Sequence, residues 1–237
     1  DEISITITFN ESATVTGTPQ LTLETGSTDA EVDYTSGSGS ETLTFKYTVV
    51  SGHTSNDLDY TSTSALALNS GTIKDATGKD AILTLSSPGG GTSLGSNKAI
   101  IVDGVLPTVS TLSPADDATD ASPNSNFIIT FSEDMTTGIG DLILKKSSDD
   151  SEYESIGASS DKIAISGAVA TINPAKDMET STQYYVTVAS GMFKDVAGNE
   201  YAGITDTTSW NFTTSAEVDV TAPSAVSAVV YDGTDTD

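Results

Sequence analysis

The 237-residue sequence has no cysteine, no arginine and a single histidine, His53. It therefore forms no disulfide and offers no thiol nucleophile or thiolate metal site. One histidine leaves no room for a histidine-rich zinc site and makes a catalytic triad improbable by composition; His53 sits in a Ser-Gly-His-Thr-Ser loop with no metal-ligand neighbours. Positive charge is scarce: nine lysines face 34 acidic residues, for a net charge of −25. That balance argues against nucleic acid and anionic lipid surfaces, which need clustered lysine and arginine, and favours cations. No apolar run is long enough for a membrane span, and no signal peptide stands at the start. Both ends read as cut from a longer protein. Aromatic residues make up only 6%, with Trp210 the sole tryptophan, so a sugar-stacking face has few candidates. There is no phosphate loop and no dinucleotide fingerprint. The expectation is that the chain is not an enzyme.

What the sequence does contain is alternation. In Ile3-Ser4-Ile5-Thr6-Ile7-Thr8-Phe9 every odd residue is apolar and every even one is serine or threonine, as in a half-buried strand. Similar runs recur at Leu21-Thr22-Leu23, Leu43-Thr44-Phe45-Lys46-Tyr47-Thr48-Val49, Tyr185-Val186-Thr187-Val188 and Trp210-Asn211-Phe212. Gly, Ser, Asp and Pro clusters separate them, and no segment has a helical period. Many short strands with turn signals predict an all-β sandwich.

The sequence also repeats itself. Thr8-Phe9-Asn10-Glu11 matches Thr130-Phe131-Ser132-Glu133 at an offset of 122. The stretch from Ser70-Gly71 through Lys74-Asp75 to Gly78 matches Ser190-Gly191 through Lys194-Asp195 to Gly198 at an offset of 120. Val102-Asp103 and Pro107 match Val218-Asp219 and Pro223 at an offset of 116. These matches divide the chain into a module over residues 1–106, a second over 107–220, and a linker with the start of a third over 221–237. The first module has no counterpart of the opening strand at 109–112, which is expected upstream of Asp1. Its sheet would then have an open edge, and residues 225–230 are a candidate to cover it in a neighbouring copy.

The second module resembles the bacterial Ig-like domain of S-layer type, through Thr-Phe-Ser-Glu-Asp-Met at 130–135, Tyr-Tyr-Val-Thr-Val at 184–188 and Lys-Asp-Val-Ala-Gly-Asn at 194–199. The first is similar to the related repeats of giant bacterial surface and swimming-motility proteins, through Thr18-Pro19-Gln20-Leu21-Thr22-Leu23-Glu24-Thr25-Gly26 and the stretch at 66–75. The resemblance implies two tandem immunoglobulin-like β-sandwiches acting as extenders of an extracellular or cell-surface bacterial adhesin. The absence of cysteine agrees with a bacterial source. Partners would be neighbouring Ig-like modules of the same chain, with a cell-surface glycan or protein receptor as the alternative.

An Ig-like topology sends alternate loops to opposite poles. It carries the loop of Glu133 and Asp134 and the loop of Asp195 to the pole facing the first module, where the linker brings Asp103. Carboxylates gathered in this way repel unless a cation neutralises them, and calcium, which takes oxygen ligands in flexible geometry, is the expected ion. Asp57 and Asp59 are further candidates on the first-module side of the junction. Glu11 and Asp75 form the corresponding set at the outer pole of the first module, and Asp219 belongs to the next linker. A plainer reading stands beside this one: aspartate in such loops also serves as a turn former.

Overall fold

The computed structural model describes residues 2–217 and Ser224. Asp219 and the segment 225–230 lie outside the described residues. The protein is almost entirely β, built as immunoglobulin-like sandwiches around two separate hydrophobic cores. The fully buried side chains of the first core include Leu21, Leu23, Leu43, Phe45 and Ile73. Those of the second include Phe127, Ile129, Phe193, Trp210 and Phe212.

In the first sandwich, alternation becomes burial. Leu43, Phe45 and Tyr47 of Ser40–Thr48 point inward while Glu41, Lys46 and Thr48 face water. This strand pairs antiparallel with Glu2–Thr16, from Glu2 opposite Thr48 to Thr8 opposite Thr42. Glu2–Thr16 runs well past the predicted residues 3–9. The register breaks between Thr8 and Ala13, and beyond the break Thr14 to Thr16 pair with Thr72–Lys74. Ala30–Ser36 pairs first with Gln20–Leu23 and then with Ser40–Thr48, within one six-stranded order. Among the described residues, no strand lies against the other edge of Glu2–Thr16 over residues 3–9.

The second sandwich has a five-stranded and a four-stranded sheet. The first runs in the order Ala118–Ala121, Asn211–Thr214, Gln183–Val188, Asp141–Lys146 and Glu152–Gly157. The second runs Ile163–Ser166, Val169–Ile172, Phe127–Phe131 and Val109–Ser113. Trp210 is wholly buried, edge-on to Phe127 at 5.8 Å between ring centroids. Its indole N–H donates to the Pro114 carbonyl at 2.8 Å, so the one polar atom of the ring is satisfied.

Several elements carry no alternation and were not expected. Ala118–Ala121 is short and polar and pairs parallel to Asn211–Thr214. Glu152–Gly157 is an edge strand rich in acidic residues. One turn of helix, Leu94–Asn97, starts at Ser93, whose hydroxyl accepts the Ser96 amide. Among the described residues this is the one departure from the expected absence of helix.

Candidate functional site

The junction between the two cores is assembled from three chain segments. The linker strand Val102–Asp103 pairs with Thr54–Ser55, with Asp103 opposite Thr54, which ties the linker to the first sandwich. Phe127–Phe131 delivers Ser132 and Glu133 to the near pole of the second. Phe193–Asp195 pairs with Met135–Thr137, and Met135 opposite Asp195 fixes that aspartate at the same pole.

There Asp103, Glu133 and Asp195 each offer a carboxylate oxygen, and the three oxygens lie within 4.8 Å of one another. Asp195 is 2% exposed, and the other two are half-buried. Each of the five ion pairs among the described residues lies elsewhere; Lys194, the neighbour of Asp195 in sequence, is engaged by Glu200 at 3.0 Å. At an effective dielectric constant of about 20, two like charges at this separation repel by roughly 3.5 kcal/mol. The molecule answers this strain in its proton affinity. Burial, reinforced by the charges of Asp195 and Asp103, pushes the Glu133 carboxyl above its ordinary pKa.

Asn199 organises the site. Its amide N–H donates to Asp195 Oδ1 at 2.7 Å, and its side-chain nitrogen donates to Asp195 Oδ2 at 2.7 Å. The same Nδ2 donates to the Asp103 carbonyl at 3.0 Å, a hydrogen bond that crosses the junction. The turn that returns the chain from Asp195 to Asn199 needs Gly198 at φ +100, a conformation that side chains with a Cβ adopt only with strain. Asp103 Oδ1 accepts the Val105 amide at 3.0 Å. Beside the linker opens a cavity of about 570 Å³ whose lining includes Glu24 and Asn56 of the first sandwich and Ser132 and Glu133 of the second.

Of the nine candidate residues, these three converge. Asp134, although next to Glu133, turns its carboxylate towards the Gly167 turn. Asp57 lies against Gly95. Asp59 is 9% exposed and is held by amides: Oδ1 accepts from Tyr60 at 2.9 Å and Leu94 at 3.1 Å, and Oδ2 accepts from Gly89 at 3.0 Å. Burial works to raise its pKa, but hydrogen bonds from Gly89, Ser93, Tyr60 and Leu94 together outweigh burial and hold it below the ordinary value. Asp57 and Asp59 thus face the loop that leads into Leu94–Asn97 and are not grouped with Asp103. Glu11 and Asp75 line one cavity of about 210 Å³ at the outer pole. Asp75 also closes its own turn, accepting from Thr77 Oγ1 at 2.7 Å, Thr77 N at 2.8 Å and Lys79 N at 2.9 Å. The Thr77 hydroxyl and the Lys79 amide lower its pKa.

Sequence reasoning did not single out Asn199 as the bridging residue. Its signal was present in the spacing Asp-x-x-Gly-Asn, in which the last residue is returned to the first. The lone His53 is half-buried and stacks on Tyr47, with its Nδ1 2.9 Å from the tyrosine hydroxyl. Tyr184, Tyr185, Tyr201 and Trp210 are all buried, so none of them forms an exposed stacking face.

Residues 103–214 match the model of a family described as the bacterial Ig-like domain. The match opens on Asp103, the linker residue of the cluster. No curated protein matches the chain.

Proposed function

We propose that this chain is an extender segment of a large bacterial cell-surface or secreted adhesin-like protein, with two Ig-like sandwiches in series stiffened by calcium at their junction. Bacterial Ig-like domains are common in bacterial surface proteins and are typically non-enzymatic structural modules, which supports the first half of this reading. No helix of the described residues is long and apolar enough to cross a membrane.

The observation that carries the second half is the cluster of Asp103, Glu133 and Asp195. The donors are all carboxylate oxygens, from the linker strand, the Ser132-Glu133 loop and the end of Phe193–Asp195. Such a set suits a hard cation, and calcium, which accepts about 6–8 oxygens in loose geometry, tolerates ligands from three independent segments better than magnesium does. A bound ion would convert mutual repulsion into shared attraction. It would link the Val102–Asp103 strand of one sandwich to a loop and a strand end of the other and so remove bending freedom from the joint. It would also stabilise the fold by mass action, by about 2.7 kcal/mol when calcium stands 100-fold above its dissociation constant.

Calorimetric titration of the chain with calcium tests this. The expected result is a saturable binding heat that disappears in Asp195→Asn. No binding heat, or one unchanged by Asp195→Asn, overturns the calcium assignment and leaves the extender role to be judged on the family match alone.

A further inference from the structure

The outward face of the five-stranded sheet carries a recess. Side chains alternate along Gln183–Val188, so Tyr184 in the core leaves Tyr185 on the opposite face. Tyr185 is nevertheless only 5% exposed. It pairs across the sheet with Asn211, and the turns at 147–151 and 206–209 stand beside this pair. Between them lies a cavity of about 280 Å³. Each lining residue has a hydrogen-bonding side chain, Asp150, Gln183, Tyr185 and Asn211 among them, and no lysine lines it. The walls are fixed by their own contacts. Asp150 holds a left-handed φ of +59, and its Oδ1 accepts the Tyr185 hydroxyl at 3.2 Å. Asp206 Oδ1 accepts the Thr208 and Ser209 amides, each at 2.8 Å. Asn211 Nδ2 donates to Asp116 Oδ1 and Asp117 Oδ1, each at 3.1 Å, and to the Thr208 carbonyl at 3.3 Å. Three acceptors thus fix which way the Asn211 amide is turned and leave its Oδ1 as an acceptor. Ser147, Gln183 and Thr207 add two hydroxyls and an amide that engage no protein group among the described residues.

We propose that this recess binds a single neutral sugar ring, held by hydrogen bonds. Sugar hydroxyls both donate and accept, and the recess offers both kinds of partner. Gln183 and the hydroxyls of Ser147 and Thr207 can donate; Asn211 Oδ1 and the Asp150 carboxylate accept, and a carboxylate can take protons from two neighbouring hydroxyls. Charge narrows the class. Asp150 lines the recess, Asp116, Asp117 and Asp206 bond to its walls, and a sugar bearing phosphate, sulfate or carboxylate would be repelled. A bare cation fits poorly, because the recess itself supplies one carboxylate, already engaged by Tyr185. The volume lies just under the roughly 300–1,000 Å³ of small-molecule sites, which suits one ring rather than a chain. Tyr185 is too deeply buried to stack on that ring, and each hydrogen bond to it replaces one to water, so an affinity on the order of millimolar is expected. The fixed walls keep the ordering cost of binding low. The recess shares no residue with the carboxylate cluster at the junction, so it does not depend on calcium.

Saturation-transfer NMR of the whole chain with glucose, galactose, mannose and N-acetylglucosamine, and with N-acetylneuraminate as the charged comparison, tests the proposal. The expected result is transfer to the ring protons of at least one neutral sugar and none to the charged one. Titration with the responding sugar should shift the side-chain amide signals of Gln183 and Asn211 to saturation. Gln183 is exposed, so Gln183→Ala keeps the fold, and it is expected to weaken binding about fivefold. Asp150→Asn keeps a residue that tolerates the left-handed turn but removes the charge, and is expected to weaken binding by at least as much. No transfer to any of the four neutral sugars overturns the proposal. So does equal transfer to the charged sugar, or a sugar signal that both variants leave unchanged.

Discussion

Replacing Asp59 separates a structural aspartate from a cation ligand. The wild-type carboxylate accepts three backbone amides, from Tyr60, Leu94 and Gly89. Hydrogen bonds to a charged acceptor contribute about 1.5–3 kcal/mol each. They do not all count in full after mutation, because Gly89 is exposed and Leu94 half-exposed, so water can reach those amides. Tyr60 is buried, and its amide would keep the whole penalty. Asp59→Ala is therefore expected to cost about 3 kcal/mol. Asp59→Asn retains one acceptor oxygen for Tyr60 and Leu94 but turns an NH₂ towards Gly89, and is expected to cost roughly 1.5–2 kcal/mol. For a core of this size the alanine variant should lower Tm by on the order of 10 °C. Differential scanning calorimetry should show the shift in the transition of the first core and leave that of the second in place. The folded pKa is lowered, so this contribution is present above the unfolded pKa and is lost as pH falls through the folded value. The gap between wild type and Asp59→Ala should close on acidification below about pH 4. Calcium binding should be untouched. An Asp59→Asn variant with wild-type stability and no calcium heat would refute the reasoning, because Asp59 would then be a ligand and its amide contacts incidental.

Four further outcomes follow from the same geometry. Glu133→Gln is expected to raise Tm in chelator at neutral pH, because the raised folded pKa makes the ionised form a burden. The gain should vanish as pH falls to the unfolded pKa, and in calcium the same variant should be the weaker one; melts at several pH values check this. Gly198→Ala meets no steric neighbour but imposes a Cβ at φ +100, so a loss of about 1–2 kcal/mol is expected, together with weakened calcium binding as Asn199 shifts. Trp210→Phe leaves the Pro114 carbonyl without its donor and opens a void beside Phe127, for a loss of about 2–3 kcal/mol by urea denaturation. Leu43→Ala, at a wholly buried position, is expected to cost about 2–5 kcal/mol by the same assay, confined to the first core.

The parts of the fold that were legible are those where side-chain chemistry repeats with the backbone. Residues 3–9 alternate without a break, and their buried face could be read directly. The Ig-like topology carried Glu133 and Asp195 to one pole, because each lies at the end of a strand that the sandwich fixes. Legibility failed where pairing, not patterning, defines the element. Ala118–Ala121 has no apolar rhythm, and only its hydrogen bonds to Asn211–Thr214 make it a strand. The sequence offers Asp57 and Asp59 as further candidates on the first-module side of the junction. Their actual surroundings depend on residues 87–97, a loop and a single helical turn with no strand or helix period to announce them. The Glu2–Thr16 strand outran its alternation because a break in register, not a turn, redirects it to a second partner.

On the proposed reading, calcium at Asp103, Glu133 and Asp195 makes one rigid unit of the two sandwiches. Residual dipolar couplings, measured for the backbone amides of both sandwiches in calcium and again in chelator, test it most directly. With calcium, both sandwiches should fit a single alignment tensor; in chelator, the two should need tensors of clearly different magnitude. Tensors that differ equally in both conditions, or agree equally in both, would contradict the account.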